Sequence, residues 1–259
     1  MTEPRYIKLG SYLVLVIAAF FALMPAVWVF ASSFKTEAEV FSTSVELIGP
    51  SGVTLENYQT LLARDDFQKW FLNSIMVAVA VTIIGVLLAS TAAYGLSRYK
   101  FRGRSPTLYI FLVAQMFPGV ILLVPLYRLF TELGMIDHLM ALVIAYSTIS
   151  IPFCVLMLKS YFDTIPFDLE EAGMVDGLNV LQAFWKIIMP LSVPGIAVTA
   201  FYSFITAWNE FMLASAFLVS RDNLTLPVGL GTFIDPYNQP WHLLTAASVL
   251  ITIPVSYTH

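Results

Sequence analysis

Charge is what this sequence has least of. Lys, Arg, Asp and Glu make up 12% of its 259 residues, about half of the roughly 25% that soluble domains carry. Apolar side chains fill the deficit: they are 58% of the chain, at a mean hydropathy of +0.80. Such a composition excludes an ordinary water-facing surface and points to lipid as the solvent, so length no longer counts domains. A formal charge of -4 and a pI near 5.3 leave no basic footprint for nucleic acid. One cysteine, Cys154, excludes an internal disulfide and a multi-cysteine metal site, and it reads as a small apolar filler.

Catalytic patterns are missing too. There is no G-x-x-x-x-G-K-[ST], so ATP is not held here by a P-loop, and there is no H-E-x-x-H, G-x-S-x-G or Cys/His cluster. His138, His242 and His259 lie far apart, near span ends or the terminus. Asn223-Leu-Thr225 matches a glycosylation sequon and carries little weight. The sequence predicts no enzyme, no metal and no cofactor in this chain.

What is present is a series of oily runs. A bilayer-spanning helix needs about 20 mostly apolar residues, because unpaired backbone groups in lipid cost several kcal/mol each. Six runs meet or approach that length: 9–32, 71–96, 106–130, 139–160, 191–219 and 241–255. The first exceeds the h-region of a signal peptide and reads as an uncleaved anchor. The sixth has about 15 apolar residues, short of the spanning length, and is expected to be incomplete at its C-terminal end. No linker or low-complexity tract divides the chain, so a single membrane domain over residues 1–259 is expected.

Basic residues orient the spans. The loop "SRYKFRGR" holds Arg98, Lys100, Arg102 and Arg104 with no acid, which assigns it to the cytoplasm. The N-terminus, with Arg5 and Lys8, then lies inside as well, and segment 33–70 lies outside. Trp28, Trp70 and Trp241 fall near span ends, where aromatic belts form.

Two spans carry unusual residues. Pro118, Gly119 and Pro125 interrupt the third, either as a packed proline kink or as a hinge beside a water-filled pathway. In the fifth, Trp208, Asn209 and Glu210 offer a ring, an amide and a carboxylate. That trio suits a polyhydroxylated ligand, or equally a polar network joining two helices.

A polar stretch, "EEAGMVDGLNVLQAFWKIIMP", separates the fourth and fifth runs on the cytoplasmic side. Pro166 suits a helix start, Asp168, Glu170 and Glu171 favour its positive end, and Gly177 suits its left-handed termination. The chain then resumes helically over 178–188, with Leu178, Leu181, Ala183, Phe184, Ile187 and Ile188 on one face. Pro190 and Pro194 bend the approach to the fifth span. Acids in place of Lys and Arg argue against a helix lying on anionic lipid, and favour insertion into a cleft of a soluble partner.

Glu171-Ala172-Gly173, three residues, Gly177, nine residues, then Ile187-Ile188-Met189-Pro190 resembles the "EAA---G---------I-LP" signature of ABC importer permeases. The longer "IPFDLEEAGMVDGLNVLQAFWKIIMPL" is similar to the carbohydrate, maltose-type branch. "LENYQTLL", "NSIMVAVAVT", "AAYGLSRYKFRG", "PLYRLF" and "AWNEF" extend the likeness along the whole chain. Gly173 departs from the usual second alanine, and Met189 from the usual leucine.

The resemblance implies an all-α, polytopic fold of about six transmembrane helices with a cytoplasmic coupling helix-turn-helix. It implies a sugar importer built from this permease, a second and different permease, a cytoplasmic ATPase dimer holding ATP and Mg, and an external sugar-binding protein. The ATPase-coupling element would contain Glu170, Glu171, Ala172 and Gly173, then Asp176, Gly177, Ile187 and Pro190. Glu171 would pair with a basic residue of the ATPase, and Gly177 would set the angle between the two short helices. The substrate pathway would include Trp208, Asn209 and Glu210. The alternatives are a permease for glycerol-phosphate or another polar solute, and a secondary carrier.

Overall fold

The computed structural model describes residues 5–42, 46–234 and 239–256. Among these there is no strand. In chain order the helices are α1 (Arg5–Ser32), α2 (Glu37–Val40), α3 (Glu56–Leu62), α4 (Asp65–Arg98) and α5 (Arg104–Met116). A 3₁₀ turn at Gly119–Leu122 leads to α6 (Leu123–Glu132), then α7 (Leu139–Phe162), α8 (Asp168–Val175) and α9 (Val180–Ala183). A π-helical turn, Phe184–Ile188, joins α9 to α10 (Met189–Leu191) and α11 (Val193–Trp208). Three more follow: α12 (Met212–Phe217), α13 (Leu226–Gly231) and α14 (Trp241–Ser256).

Among the described residues three helices are unbroken and apolar enough to cross a membrane: Gly10–Ser32 within α1, α4, and α7. The ends of α4 show why it forms one long rod. Asp65 and Asp66 sit in its first turn and Arg98 in its last, each sign matching the helix dipole. Two expected spans are broken. The third bends by 96° between α5 and the segment from Gly119 to Glu132. That angle exceeds an ordinary proline kink, because Pro118 starts a new helical segment instead of continuing α5. The fifth run does not reach Val219 as one helix. It bends by 80° at Ser192 and stops at Trp208, before α12 begins at Met212.

The chain divides into two compact units, Met1–Gln68 with Leu230–His259, and Lys69–Gly229. In the first, α1 and α3 pack on α14. The buried Asn57 amide donates to the carbonyls of Ser33 (2.9 Å) and Lys35 (2.8 Å), fixing the segment after α1. In the second unit, α7 packs on α5 and α11. Its core joins Ala89, Ala93 and Tyr94 of α4 to Cys154, Leu158 and Phe162 of α7 and to Phe184 and Ile188. Gly195 lets α11 approach α7 closely, since a Cβ there would lie 2.7 Å from the Tyr161 ring. Small residues at such contacts are the usual means of helix packing in lipid.

Trp70 is not a belt residue. It is fully buried, its ring lies where a Cβ on Gly229 would stand, and its Nε1 donates to the Arg221 carbonyl at 2.7 Å.

Candidate coupling site

The polar stretch folds as helix, turn, helix. Phe167 precedes α8 with its carbonyl accepting from the amides of Glu170 and Glu171, so Pro166 stands just outside the helix and not at its first position. Three carboxylates, Asp168, Glu170 and Glu171, occupy the first turn.

The two adjacent glutamates then part. Glu171 is exposed. Glu170 is 4% exposed and turns inward, correcting the expectation that both acids face a partner. One of its carboxylate oxygens accepts from the Tyr94 hydroxyl at 2.8 Å, and the other from Arg98 Nε. Arg98 also donates to the Ile165 carbonyl at 3.1 Å, and its guanidinium lies 4.4 Å from the Phe167 ring centre. A buried carboxylate must be paired, since a stranded one costs about 3–5 kcal/mol. Nearby, the Ser97 hydroxyl donates to Asp163 at 2.7 Å. Partial burial pushes Asp163 up, but Lys159 and Ser97 hold it below the usual carboxylate range.

The turn after α8 is fully hydrogen-bonded. The Leu178 amide reaches the Gly173 carbonyl and the Gly177 amide that of Met174, both at 3.0 Å. This is the Schellman arrangement, and Gly177 takes the required positive φ of 91°. Asn179 caps α9, accepting from the Gln182 amide at 2.9 Å while the Gln182 side chain accepts from the Asn179 amide at 3.0 Å. Gly173 is buried, and a Cβ there would lie 2.4 Å from Ile187 Cδ1. Ile187 therefore packs its tip against the α8 backbone. The π-turn ends just before Pro190, whose missing N–H would interrupt an α-helical ladder. Leu181, expected on the apolar face, is 67% exposed, whereas Ala183, Phe184 and Ile188 of the same expected face are buried.

Glu171, Ala172, Asp176 and Gly177 are exposed together, beside Val175 at 88% exposure. Thus α8 presents acids and apolar side chains outward while Glu170 and Gly173 hold it from within.

The expected substrate trio does not act as one cluster. Trp208 is 1% exposed and packs edge-on to Phe71 and stacked with Phe204. Glu210 accepts from the Tyr146 hydroxyl (2.7 Å) and from the amides of Leu213 (2.8 Å) and Ala214 (3.1 Å). It therefore caps α12 and ties it to α7. Asn209 alone is exposed.

A cavity lies beside the broken third span, where the sequence offered either a packed kink or a hinge at a water-filled pathway. Its volume is about 650 Å³, and it is lined by Tyr109, Gln115, Phe117, Gly119, Thr148 and Tyr202, among others. Its rings, amide and hydroxyl are spread over four segments, so only Pro118 and Gly119 marked its position.

Asp137 forms a separate clasp. It takes a positive φ of 68°, and one oxygen accepts from the amides of Val219 and Ser220, both at 2.9 Å. Burial pushes its carboxyl up, but hydrogen bonds from Ser220, Val219 and Asn223 outweigh that and hold it at about 2. The Asn223 amide of the sequon donates to the Asp137 carbonyl at 2.7 Å. His138 precedes α7 and His242 lies in α14, whereas His259 lies outside the described residues. Among the described residues no His, Cys, Asp and Glu group could hold a metal.

Comparison with known proteins supplies the family. Residues 82–258 match the family described as "Binding-protein-dependent transport system inner membrane component". The chain is 39% identical over 250 residues to the inner membrane ABC transporter permease protein YcjP of Escherichia coli (strain K12), covering 96% of this chain and 89% of that one. It is 34% identical to the trehalose transport system permease protein SugB of Mycobacterium tuberculosis (strain CDC 1551 / Oshkosh), covering 91% and 85%. Its fold is similar to a solved bacterial ABC transporter involved in the import of the acidic polysaccharide alginate, with a TM-score of 0.86 at 24% identity over 99% of this chain and 96% of that one. The chain is thus a multi-pass membrane protein that belongs to the family of binding-protein-dependent transport system inner membrane components.

Proposed function

We propose that this chain is the membrane-spanning permease subunit of an ATP-driven importer for sugars or oligosaccharides. It forms the translocation path with a second permease, receives solute from an extracytoplasmic sugar-binding protein, and is driven by a cytoplasmic ATPase dimer that holds ATP and Mg. The chain itself holds no cofactor. Its N-terminus lies in the cytoplasm, on the same side as Lys100, Arg102 and α8.

The observation that carries the reading is the outward face of α8. Exposed Glu171 and Asp176 beside exposed Val175 suit a cleft with basic and apolar walls, and the Gly177 turn and Asn179 cap hold the corner in shape. Glu171 forms a charge-assisted contact there, and Ala172 and Gly177 permit close approach. On the solute side, the cavity beside the third span combines aromatic rings with Gln115 and Thr148, the mixture that sugar rings and hydroxyls require. Asn209 is the remaining exposed polar candidate for the path.

The test is Glu171→Lys in the reconstituted importer. Charge reversal is expected to weaken ATPase co-purification and to lower solute-stimulated ATP hydrolysis at least about tenfold, the scale of losing a close interfacial ion pair. Wild-type stimulation in that variant would overturn the assignment of α8. Uptake driven by an ion gradient without ATP would instead identify a secondary carrier.

A further inference from the structure

We propose that Arg98, Glu170 and Tyr94 form a buried joint that transmits motion of α8 to α4, and that these three are positioning residues for coupling. This rests on the reading of α8 as the ATPase-facing helix.

The joint is not explained by stability alone. A buried ion pair gives little net stabilisation, and an apolar pair of similar volume often serves a fold as well. Here the Arg98 and Glu170 side chains are 4% and 5% exposed, so neither solvent nor salt screens them strongly. Its geometry constrains orientation. The Arg98 guanidinium holds the Glu170 carboxylate of α8 and the Ile165 carbonyl of the turn before α8, while its face covers Phe167. Tyr94, one helical turn earlier on α4, takes the second carboxylate oxygen at 2.8 Å. Two donors from one rod therefore fix both oxygens of one acid. A second tie, Ser97 to Asp163 at 2.7 Å, fastens the end of α7 to the same turn of α4.

The other route out of α8 is built differently. Towards α11 the chain passes through Gly177, a π-turn and an 80° bend at Ser192. Each of these is a break in regular helix, where a displacement can be absorbed. A push on α8 therefore reaches α4, a single 34-residue helix, directly through side chains, whereas along the chain it reaches α11 only across these three breaks.

The experiment uses the complete importer, both permeases with the ATPase pair and the binding protein, in proteoliposomes. Solute transported per ATP hydrolysed is measured together with assembly yield. Single variants Arg98→Met and Glu170→Gln disturb the charge balance of the joint and are expected to assemble poorly. The double variant Arg98→Met/Glu170→Gln removes both charges. It is expected to recover yield while transport per ATP stays at least about fivefold below wild type, the lower end of a coupling free energy. Tyr94→Phe removes one hydroxyl and is expected to lower the ratio about threefold at normal yield, the scale of one hydrogen bond. A double variant that recovers both yield and ratio overturns the joint, because a pair with a purely structural role would behave that way. If the double variant does not assemble, Tyr94→Phe decides, and a wild-type ratio there overturns the proposal. Failure of the underlying reading shows separately, as Glu171→Lys that keeps its ATPase.

Discussion

Glu170 and Glu171 are chemically identical neighbours, and a helix separates them by about 100°. That rotation sends one carboxylate to Arg98 and Tyr94 and the other to solvent. The glycine inside α8 and the glycine just after it are held by different demands. At Gly173 an alanine would gain about 1 kcal/mol in helix propensity. Its methyl would also displace the Ile187 tip, at about 0.5–1.5 kcal/mol for a strained rotamer. The two effects nearly cancel, so Gly173→Ala should change unfolding stability by less than about 1 kcal/mol. Gly177 differs because its backbone, not its surroundings, demands glycine. Gly177→Ala should cost about 1–2 kcal/mol even though open space surrounds it. Equal stabilities of the two alanine variants in a denaturation series would contradict this. The residue types at both positions were readable from the sequence, and the positive φ at Gly177 was expected. The inward turn of Glu170 was not, because Arg98 lies 72 residues away and was counted with the cytoplasmic basic loop.

Among the elements, α1, α4 and α7 were legible because each is an uninterrupted apolar run, and lipid leaves such a run no alternative to helix. The broken spans were only partly so. Pro118 marked an interruption, but the 96° angle depends on packing, including Ile149 against Gly119. The end of α11 was missed because Glu210 read as a buried charge in need of a partner, and its partners proved to be the amides of α12 and the Tyr146 hydroxyl. Glu210→Ala should therefore destabilise the protein by about 2 kcal/mol, the cost of orphaning buried donors, whereas Asn209→Ala should stay within about 0.5 kcal/mol, as surface changes do. A transport defect in Asn209→Ala at unchanged thermal stability would then report on the solute path. The Asp137 clasp predicts a pH response. Its carboxyl is held at about 2, below the ordinary 3.8, so the clasp contributes fully above about pH 4 and is lost as pH falls through 2. Thermal unfolding scans from pH 5 to 2 should show a steeper loss for the wild type than for Asp137→Asn. Parallel curves would remove the carboxylate from that role.

For the whole molecule, composition alone pointed to lipid as the solvent, and the placement of charge carries the proposed direction across the bilayer. Arg98 and Arg104 serve the structure as well, since Arg104 donates to the Leu96 carbonyl at 2.7 Å, which leaves Lys100 and Arg102 as the exposed cations of that loop. Orientation is therefore testable on a background of Cys154→Ala, which removes the buried native thiol. Lys100→Cys should react with an impermeant maleimide only in inside-out vesicles, and Glu56→Cys only in right-side-out ones. The reverse pattern would invert the topology.

The dry contact between positions 98 and 170 also constrains how the sequence can drift. Losing either charge alone strands the other at about 3–5 kcal/mol, a large share of a typical fold's 5–15 kcal/mol margin. Descendants that change one position must change the second almost at once. An alignment of relatives should accordingly show the two sites exchanging in step, as ion pair or as neutral pair, while exposed position 171 next door varies with the partner protein instead.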